Sequence, residues 1–301
     1  MTMLDAPLLV ERAREPRRSV LILTLLRQDK AALLGMIVLG VICAAALLGP
    51  MLYPLDPVMP NLAQTLRPPL SCDDAGICYL AGTDQLGRDV LSRLMHGARL
   101  SLIVGFGAVA VGSILGSALG LVTGYFGGVL DTVTMRLADA QLAIPTIMLA
   151  IAVLAVLGPS LANLIAVLGI SGWVVYARIL RVNVMSVRAR EYVTAARVLG
   201  ASPLRVMFRH VLPNSIDATI VIATSQLATL MVAEAALSFL GLGVPPPTPT
   251  WGNMLSDGRS YLTAAWWIAT LPGLALTVTV LAVNLVGDWI RDVTDPKILR
   301  A

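Results

Sequence analysis

The chain has 301 residues, of which 57% are hydrophobic and only 13% are charged, and its mean hydropathy is +0.81. This composition excludes a soluble globular protein, a disordered chain and a fibrous repeat. The net charge of +4 does not indicate a nucleic-acid partner, because the basic residues flank apolar runs, as membrane topology requires. At about 20 apolar residues per bilayer crossing, the length allows roughly six membrane-spanning helices.

Uncharged runs predict six spans in chain order, which gives an all-α polytopic membrane protein. They cover residues 31–52, residues 100–130, two spans within residues 140–177, and spans from about 213 to 240 and from about 264 to 287. The run Gly124–Gly128 predicts the end of the second span, and Gly158-Pro159-Ser160 predicts a tight hairpin between the third and fourth spans. Pro272 predicts a kink within the sixth span.

The distribution of arginine and lysine predicts the orientation. Residues 1–30 and the loop 181–213 hold six of these residues each, whereas the hairpin at 158–160 holds none. Both termini and the loop 181–213 are therefore expected in the cytoplasm. The segment before the first span is not a cleavable signal, because acidic residues interrupt it and the apolar run is too long.

This topology divides the chain into five parts. They are a cytoplasmic segment at 1–30, a first transmembrane helix at 31–52, an extracytoplasmic insertion at 53–97, a five-helix core at 98–290 that includes the loop 181–213, and a cytoplasmic tail at 291–301. The insertion also carries arginines, but long loops obey the positive-inside rule poorly.

Four glycines at intervals of four place a side-chain-free stripe on one side of the second span. They are Gly112, Gly116, Gly120 and Gly124. Such a stripe allows a second helix backbone to approach closely. A helix contact is the simpler interpretation and a pore-lining groove is the functional one, and the two are compatible.

The loop between the fourth and fifth spans contains ordered local signals. Residues 190–199 are good helix formers, Gly200 is placed as a left-handed cap, and Ser202-Pro203 predicts the start of a second short helix. Pro213 is placed to open the fifth span. The apolar side chains predicted on one side of the first helix are Tyr192, Val193, Ala196 and Leu199. We expect this side to dock into another protein, although an amphipathic helix lying on the lipid surface fits the composition as well.

The same loop resembles the EAA loop of ABC importer permeases. The match consists of Ala195-Ala196, Gly200 and Leu212-Pro213 at the family spacing. Thr194 stands where the motif name puts glutamate, and His210 stands where isoleucine is usual.

Both departures resemble the permease subfamily for dipeptides, oligopeptides and nickel, in which an acid sits earlier, as Glu191 does, and a His-x-Leu-Pro-Asn run is common. Two further segments, 82–101 and 234–243, resemble the stretches before the second span and at the end of the fifth span in that subfamily. The likeness covers roughly residues 30 to 295.

The resemblance implies a type I ABC importer permease fold in the inner membrane and one half of a translocation pathway for peptides or a related small solute. It also implies a second permease subunit, two ATP-binding subunits or a fused pair, and an extracytoplasmic solute-binding protein. ATP and magnesium belong to the partners, so no cofactor, metal site or enzymatic activity is expected in this chain. The residues assigned to ATPase coupling are Arg190, Glu191, Ala195, Ala196, Gly200, His210 and Pro213. Arg190 and Arg197 would face acids on the partner, or serve only as positive-inside residues.

Charged residues within the predicted spans require partners. Glu234 lies deep in the fifth span, either as a pore or gate residue or as a hydrogen-bonding residue of the helix bundle. Arg136 and Asp139 are expected to pair with each other at the start of the third span. Asp217, one turn into the fifth span, fits a helix N-terminus better than a substrate ligand.

Two cysteines, Cys72 and Cys78, share the insertion, and the residues between them can turn back on themselves. A disulfide is favoured over two free thiols or a metal site with the neighbouring aspartates, because this spacing fits no common zinc pattern. Cys43 lies inside the first span and is expected to stay reduced. We expect the disulfide-bonded tip to cap the extracytoplasmic mouth or to touch the binding protein.

Two functions from other classes remain as alternatives. An ion-coupled secondary transporter would show internal repeats with broken helices around midplane acids, and only one deep acid is visible. A membrane-embedded enzyme or an ATPase would need a nucleophile–base pair or a Walker A loop, and the sequence contains neither.

Overall fold

The computed structural model describes residues 29–74 and 76–294. Most of the predicted cytoplasmic segment 1–30 and most of the tail 291–301, with all their basic residues except Lys30 and Arg291, lie outside the described residues. Within the described part, the helices are α1 (Lys30–Leu52), α2 (Val90–Phe126), α3 (Gly128–Leu142), α4 (Thr146–Leu157), α5 (Leu161–Arg188), α6 (Glu191–Val198), α7 (Pro203–Val206), α8 (Asp217–Phe239), α9 (Trp251–Gly258) and α10 (Trp267–Thr294). Two short strands, β1 (Ser71–Cys72) and β2 (Cys78–Tyr79), pair antiparallel.

Polar side chains mark several helix starts. Asp29 accepts from the N–H groups of Ala31 and Ala32 at the start of α1, and Asp89 accepts from the N–H of Ser92 at 2.6 Å in α2. Ser160 caps α5 by accepting from the N–H of Asn163. These caps satisfy orphan backbone donors and determine where each span begins.

Five helices are long and apolar enough to cross a bilayer: α1, α2, α5, α8 and α10. The helices α3 and α4 pass the same test only as a pair, and they are bent by 89°. The count of six spans therefore holds when this pair is taken as one broken span.

The third span differs from the prediction of a single helix beginning at residue 140. The helix is interrupted at residues 143–145, between α3 and α4. Pro145 lacks an N–H and disfavours helical backbone at Ile144. The 12 residues of α4 extend only about 18 Å, which is too short for a crossing. Counting uncharged residues missed α3 because this helix carries Asp131, Arg136 and Asp139.

The second span begins earlier than predicted. Helix α2 starts at Val90, so residues 90–97, assigned to the insertion, are already helical. Its 37 residues are roughly 55 Å long and exceed the hydrocarbon thickness, so the charged first turns extend beyond it. Similarly, residues 181–188 of the predicted loop belong to α5.

The helices α2 and α5 form the central pair of the bundle. A Cβ atom placed on Gly112, Gly116, Gly120 or Gly124 would lie 2.3–2.8 Å from the carbonyl oxygen of Gly169, Trp173, Ala177 or Arg181, respectively. Both series advance by four residues together, so the two helices run parallel. Only glycine permits this backbone approach, which is the geometry that a small-residue stripe favours in membrane helices.

The loops gather at two ends of the bundle. The insertion end contains residues 53–89, the hairpin at 158–160 and residues 240–266. The coupling end contains residues 189–216 and the C-terminal end of α10. The sequence-predicted site residues divide between these two ends and the helices that connect them.

Candidate functional site

The segment 190–214, here called the coupling segment, is a chain of short helical pieces. Helix α6 ends at Val198, and Gly200 adopts φ +83°, with no atom near the position of a Cβ. Pro203 then opens α7 at its first turn. The predicted two-helix arrangement is present because Gly200 adopts left-handed backbone at little cost, and a larger residue would be strained there.

The end of the coupling segment differs from the prediction that Pro213 opens the fifth span. The backbone from Met207 to Val211 is a π-helix, and Leu212–Asn214 is a 3₁₀ turn. Helix α8 begins only at Asp217. Pro213 has no N–H for the helical ladder, so it occupies the tight turn instead. His210 lies partly buried in the π-helix, where its carbonyl accepts from Asn214.

Four apolar residues attach the coupling segment to the bundle. Val193, Val206 and Val211 are fully buried, and Met207 is nearly so. They pack in one cluster with residues of α2 and α5, which includes Tyr125 and three buried aliphatic residues of α5. These contacts hold the coupling segment against the membrane helices.

The outer side of the coupling segment exposes five large apolar side chains beside its arginines. The apolar ones are Tyr192, Val198, Leu199, Leu204 and Phe208. Val198 is 82% and Leu199 is 86% exposed. Several large exposed apolar side chains on one short anchored element are typical of a protein-interaction surface.

This division corrects the predicted docking face in part. Val193 and Ala196 point toward the bundle, where Val193 is buried and Ala196 is half-buried. Tyr192 and Leu199 of the same predicted side are exposed, as is Ala195. The tertiary contact with α5 decides which side of an amphipathic helix faces inward.

The arginines of this region also contact the chain itself. The guanidinium groups of Arg188 and Arg197 both lie 5.7 Å from the centre of the Tyr125 ring. Such cation–π contacts hold α6 near the end of α2. Arg190 is exposed at the N-cap position of α6, and Glu191 is exposed in its first turn, where the helix dipole favours an acid.

The deep acid of the fifth span is enclosed. Glu234 is 0% exposed. One carboxylate oxygen accepts from the hydroxyl of Ser238 at 2.7 Å, and the other accepts from the hydroxyl of Ser101 at 3.2 Å. Ser238 lies one turn further along α8 and Ser101 lies on α2. Because both carboxylate oxygens are engaged, this geometry favours the hydrogen-bonding interpretation over the pore interpretation.

The predicted pair between Arg136 and Asp139 is wrong. Asp139 pairs with Arg178 of α5, and Arg136 is exposed. Asp131 pairs with Arg181, whose second nitrogen lies 2.6 Å from the other carboxylate oxygen. These pairs join α3 to α5, because the α5 arginines lie within reach across the interface and compensate the acids there.

The insertion end contains an ion network that the sequence interpretation did not identify. Asp84 accepts from Arg88 Nε at 2.7 Å and lies 3.4 Å from Arg93 Nε, and all three side chains are at most 6% exposed. Asp257 of α9 lies 3.7 Å from Arg88 and 3.5 Å from Arg93, and is 39% exposed. The sequence signal for this network is the segment 82–101, which contains Asp84, Arg88 and Arg93 and resembles the stretch before the second span in the permease subfamily.

Two tryptophans fasten the insertion to the bundle beside this network. Trp267 Nε1 donates to the carbonyl of Thr83, and Trp251 Nε1 donates to the carbonyl of Leu94, both at 3.0 Å. Trp251 is 1% and Trp267 is 5% exposed. Buried indoles satisfied in this way tie α9 to α2 and tie the insertion to α10.

The two cysteines of the insertion form a disulfide, Cys72–Cys78, and face each other across the β1–β2 ladder. Cys43 is free. The hydroxyl of Tyr53 donates to the Cys78 carbonyl and to Asp89. Partial burial and the neighbouring Asp89 charge raise the pKa of Tyr53 to about 12, because both disfavour the phenolate.

Two family models match the chain. The family model described as "Binding-protein-dependent transport system inner membrane component" matches residues 116–300, and the model described as "N-terminal TM domain of oligopeptide transport permease C" matches residues 20–69. The chain is 45% identical over 273 residues to a di/tripeptide transport system permease protein DppC of Pseudomonas aeruginosa, covering 91% of this chain and 90% of that protein. It is 42% identical over 272 residues to the dipeptide transport system permease protein DppC of Escherichia coli K12, covering 90% and 91%.

Two solved structures share the fold. One is described as an amino acid ABC transporter with histidines, at 16% identity and a TM-score of 0.51 over 65% of this chain and 91% of that chain. The other contains the MetNI methionine ABC transporter in inward-facing conformations, at 19% identity and a TM-score of 0.52 over 68% and 97%. At these identities the likeness concerns the architecture of the helices alone.

Proposed function

Since the chain belongs to the family of binding-protein-dependent transport system inner membrane components, we propose that it forms one half of the translocation pathway of an ATP-driven importer of di- or oligopeptides. The two relatives named above are peptide permeases that the chain matches over 90–91% of its own length. This supports the importer over an ion-coupled carrier acting alone. The proposal that the solute is a peptide rests on those relatives.

The observation that carries the proposal is the coupling segment, which is buried on one side and exposed and apolar on the other. Val193 and Val206 join it to α2 and α5, while Val198 and Leu199 extend outward. An ATP-binding subunit would cover the outer side. Exposed Ala195 allows close approach of that partner, and exposed Glu191 and Arg190 lie at its edge.

In this mechanism, closure of the ATPase pair pulls on the coupling segment. Because buried residues attach the segment to α2 and α5, a displacement moves these helices as well as α8, which follows the segment directly in the chain. The helices would rock between inward-facing and outward-facing arrangements. ATP and Mg²⁺ would be held by the partners, and this chain would convert their movement into access.

The remaining partners and the orientation belong to the same proposal. A second permease subunit would complete the pathway, and a solute-binding protein would deliver peptide at the insertion end. The loop 181–213, with six arginines, supports a cytoplasmic coupling end. The insertion end would then face the oxidising side, which is compatible with the Cys72–Cys78 disulfide. Its disulfide-bonded tip would contact the binding protein or cap the mouth.

Purification from a mild detergent tests the proposal. The tagged chain, expressed in its own cells, should recover the ATP-binding subunits and the second permease. Leu199→Ser should reduce the recovered ATPase, because a serine removes apolar contact from the exposed side without touching the buried anchors. The matched control is Val156→Ser, since Val156 is 85% exposed at the insertion end and Leu199 is 86% exposed at the coupling end.

Proteoliposomes made from the recovered complex provide the transport measurement. Uptake of a labelled dipeptide should require ATP and the binding protein, and should persist when ionophores collapse ion gradients. Uptake by the chain alone, driven by a gradient, would instead establish the secondary transporter. Equal ATPase recovery by the Leu199 and Val156 variants would refute the coupling surface.

A further inference from the structure

A cavity of about 550 Å³ lies between α8 and α10 at the coupling end, with Ile179 of α5 at its side. This volume falls within the range of about 300–1,000 Å³ that is typical of small-molecule sites. Its polar lining comes from both helices and includes Asp217, Ser225, Asn284, Asp288 and Arg291. All five of these residues are exposed.

The charged residues of this cavity have no partners among the residues that the structure describes. Asp217, Asp288 and Arg291 form no ion pair there, whereas the other charged pairs of the membrane helices, such as Asp131 with Arg181, are joined directly. Unpaired charges on membrane helices are costly unless they face water or a polar ligand. The helix dipole would explain Asp217 alone, since an acid is favoured at a helix start. It does not explain why acids and Arg291 surround the same cavity.

The lining residues also follow the helical repeat. On α10, Asn284, Asp288 and Arg291 are spaced four and three residues apart, so they share one side of the helix. On α8, Asp217 and Ser225 are two turns apart and share a side as well. By contrast, α1 contains no charged residue after Lys30 and is apolar on all sides. The α8–α10 surface thus carries a row of polar side chains along the helix axes.

We infer that this cavity is a transient binding site for the two charged ends of a short zwitterionic peptide during its passage. The inference rests on the proposed function and adds the solute contacts to it. Arg291 would bind the carboxylate through its planar pair of donors. Asp288, which lies one turn from Arg291 on the same side of α10, would bind the ammonium group.

The dimensions of the cavity match a short peptide. Asp288 and Arg291 are separated by about 5 Å along the helix axis, their side chains extend this reach, and an extended dipeptide spans at most about 7 Å. The remaining wall is apolar and includes Ile179, Val221 and Ile222. Such a wall lacks directional groups, so the site would recognise the ends and tolerate different side chains.

The wall of the cavity is continuous with the coupling segment. Only Ser215 and Ile216 separate the 3₁₀ turn at Leu212–Asn214 from Asp217, and buried Ser215 donates to the Val211 carbonyl. At the back of the cavity, Gly287 contacts Thr224, where a Cβ would lie 2.7 Å from the Thr224 hydroxyl. A displacement of the coupling segment therefore changes the separation of α8 and α10, and with it the site.

Cysteine labelling in the assembled complex tests the site. In a Cys43→Ala background, Asn284→Cys and Ser225→Cys should react with a charged, water-soluble maleimide added from the coupling side. Leu34→Cys is the matched control. It is 58% exposed on apolar α1, at the same depth as Asn284, because its neighbour Gly35 contacts Leu285 and Val286 of α10. This control should react slowly.

Protection by peptide then tests the ligand. Dialanine should slow the labelling of Asn284→Cys by about tenfold at saturation, whereas N-acetyl-dialanine amide, which lacks both charges, should not. Adding Arg291→Gln should remove the protection but keep the labelling. The site is refuted if Asn284→Cys labels no faster than Leu34→Cys, if the blocked peptide protects equally, or if Arg291→Gln changes nothing.

Uptake by the same preparations separates this inference from the proposed function. A complex that imports no peptide in the presence of ATP and binding protein refutes the proposed function, and with it the site. A complex that imports dialanine but shows none of the predicted protection refutes only the site. If Asn284→Cys does not label in a transporting complex, the site is refuted and the surface is assigned to contact with the second permease.

Discussion

The two ends of the bundle satisfy their side chains in opposite ways. At the insertion end, Asp84 and its two arginines are at most 6% exposed, and Asp84 together with Asp257 balances the two positive charges. At the coupling end, Val198 and Leu199 are more than four-fifths exposed. The charges of the ion network are thus paired within this chain, whereas the large apolar side chains of the coupling segment have no covering surface among the described residues.

The largest expected effect comes from breaking the ion network of the insertion end. Asp84→Ala leaves the buried guanidinium groups of Arg88 and Arg93 without their main partner, and we expect a loss of about 3–5 kcal/mol in the free energy of unfolding. Thermal unfolding in detergent, followed by size-exclusion recovery, measures this loss. Asp257→Ala is the control, because its contacts are 3.5–3.7 Å long and its side chain is 39% exposed. If both variants have equal stability, the network does not hold the insertion.

A smaller loss is expected just below the insertion end, at Glu234. Alanine there leaves the hydroxyls of Ser101 and Ser238 without their acceptor in a buried place, which costs about 1–3 kcal/mol. Glutamine retains an acceptor and should behave nearly as wild type in stability and in uptake. Assembly of the complex and peptide uptake are measured together. If the Gln variant assembles fully but does not transport, the charge itself is functional and the hydrogen-bonding interpretation is wrong.

The coupling end should respond in function more than in stability. Gly200→Val places a branched side chain at φ +83°, which costs about 1–2 kcal/mol in backbone strain. We expect the spans to stay inserted while ATP hydrolysis no longer drives uptake, because the angle between α6 and α7 changes. The ratio of peptide imported to ATP hydrolysed is the measurement. Gly40→Val in α1 is the control, since nothing lies near its Cβ position and its φ is not positive. A normal ratio in the Gly200 variant would contradict the docking role.

The smallest effect on the bundle is expected from the disulfide. Cys72→Ser opens a loop with a sequence separation of 6, whose closure contributes about 2–3 kcal/mol to the order of the tip alone. Trp267 and the Asp84 network attach the insertion closer to the bundle, so the unfolding temperature should remain unchanged. Intact mass after alkylation without reductant checks the bond in the native protein. Labelling of Cys72 or Cys78 under those conditions would exclude it.

Hydropathy, capping and glycine spacing determined most of the helix pattern from the sequence by itself. The runs that became α1, α5, α8 and α10 were visible because a membrane span must be apolar along its whole length. The bend at Gly200 was visible as well, since a left-handed backbone position selects glycine locally. The likeness of the coupling segment to a known loop also required only short-range spacing.

The tertiary structure alone decided which distant groups meet. Asp139 had a neighbour of opposite charge, Arg136, in sequence, yet it pairs with Arg178 of α5, because helix packing brings that arginine closer. The inward side of α6 and the enclosure of Glu234 depend in the same way on residues far along the chain. The bent third span was hidden because its charges are compensated across α3 and α5, and a rule based on one segment cannot include a partner from another. Periodicity reports what a helix can bury, and only packing determines what it buries against.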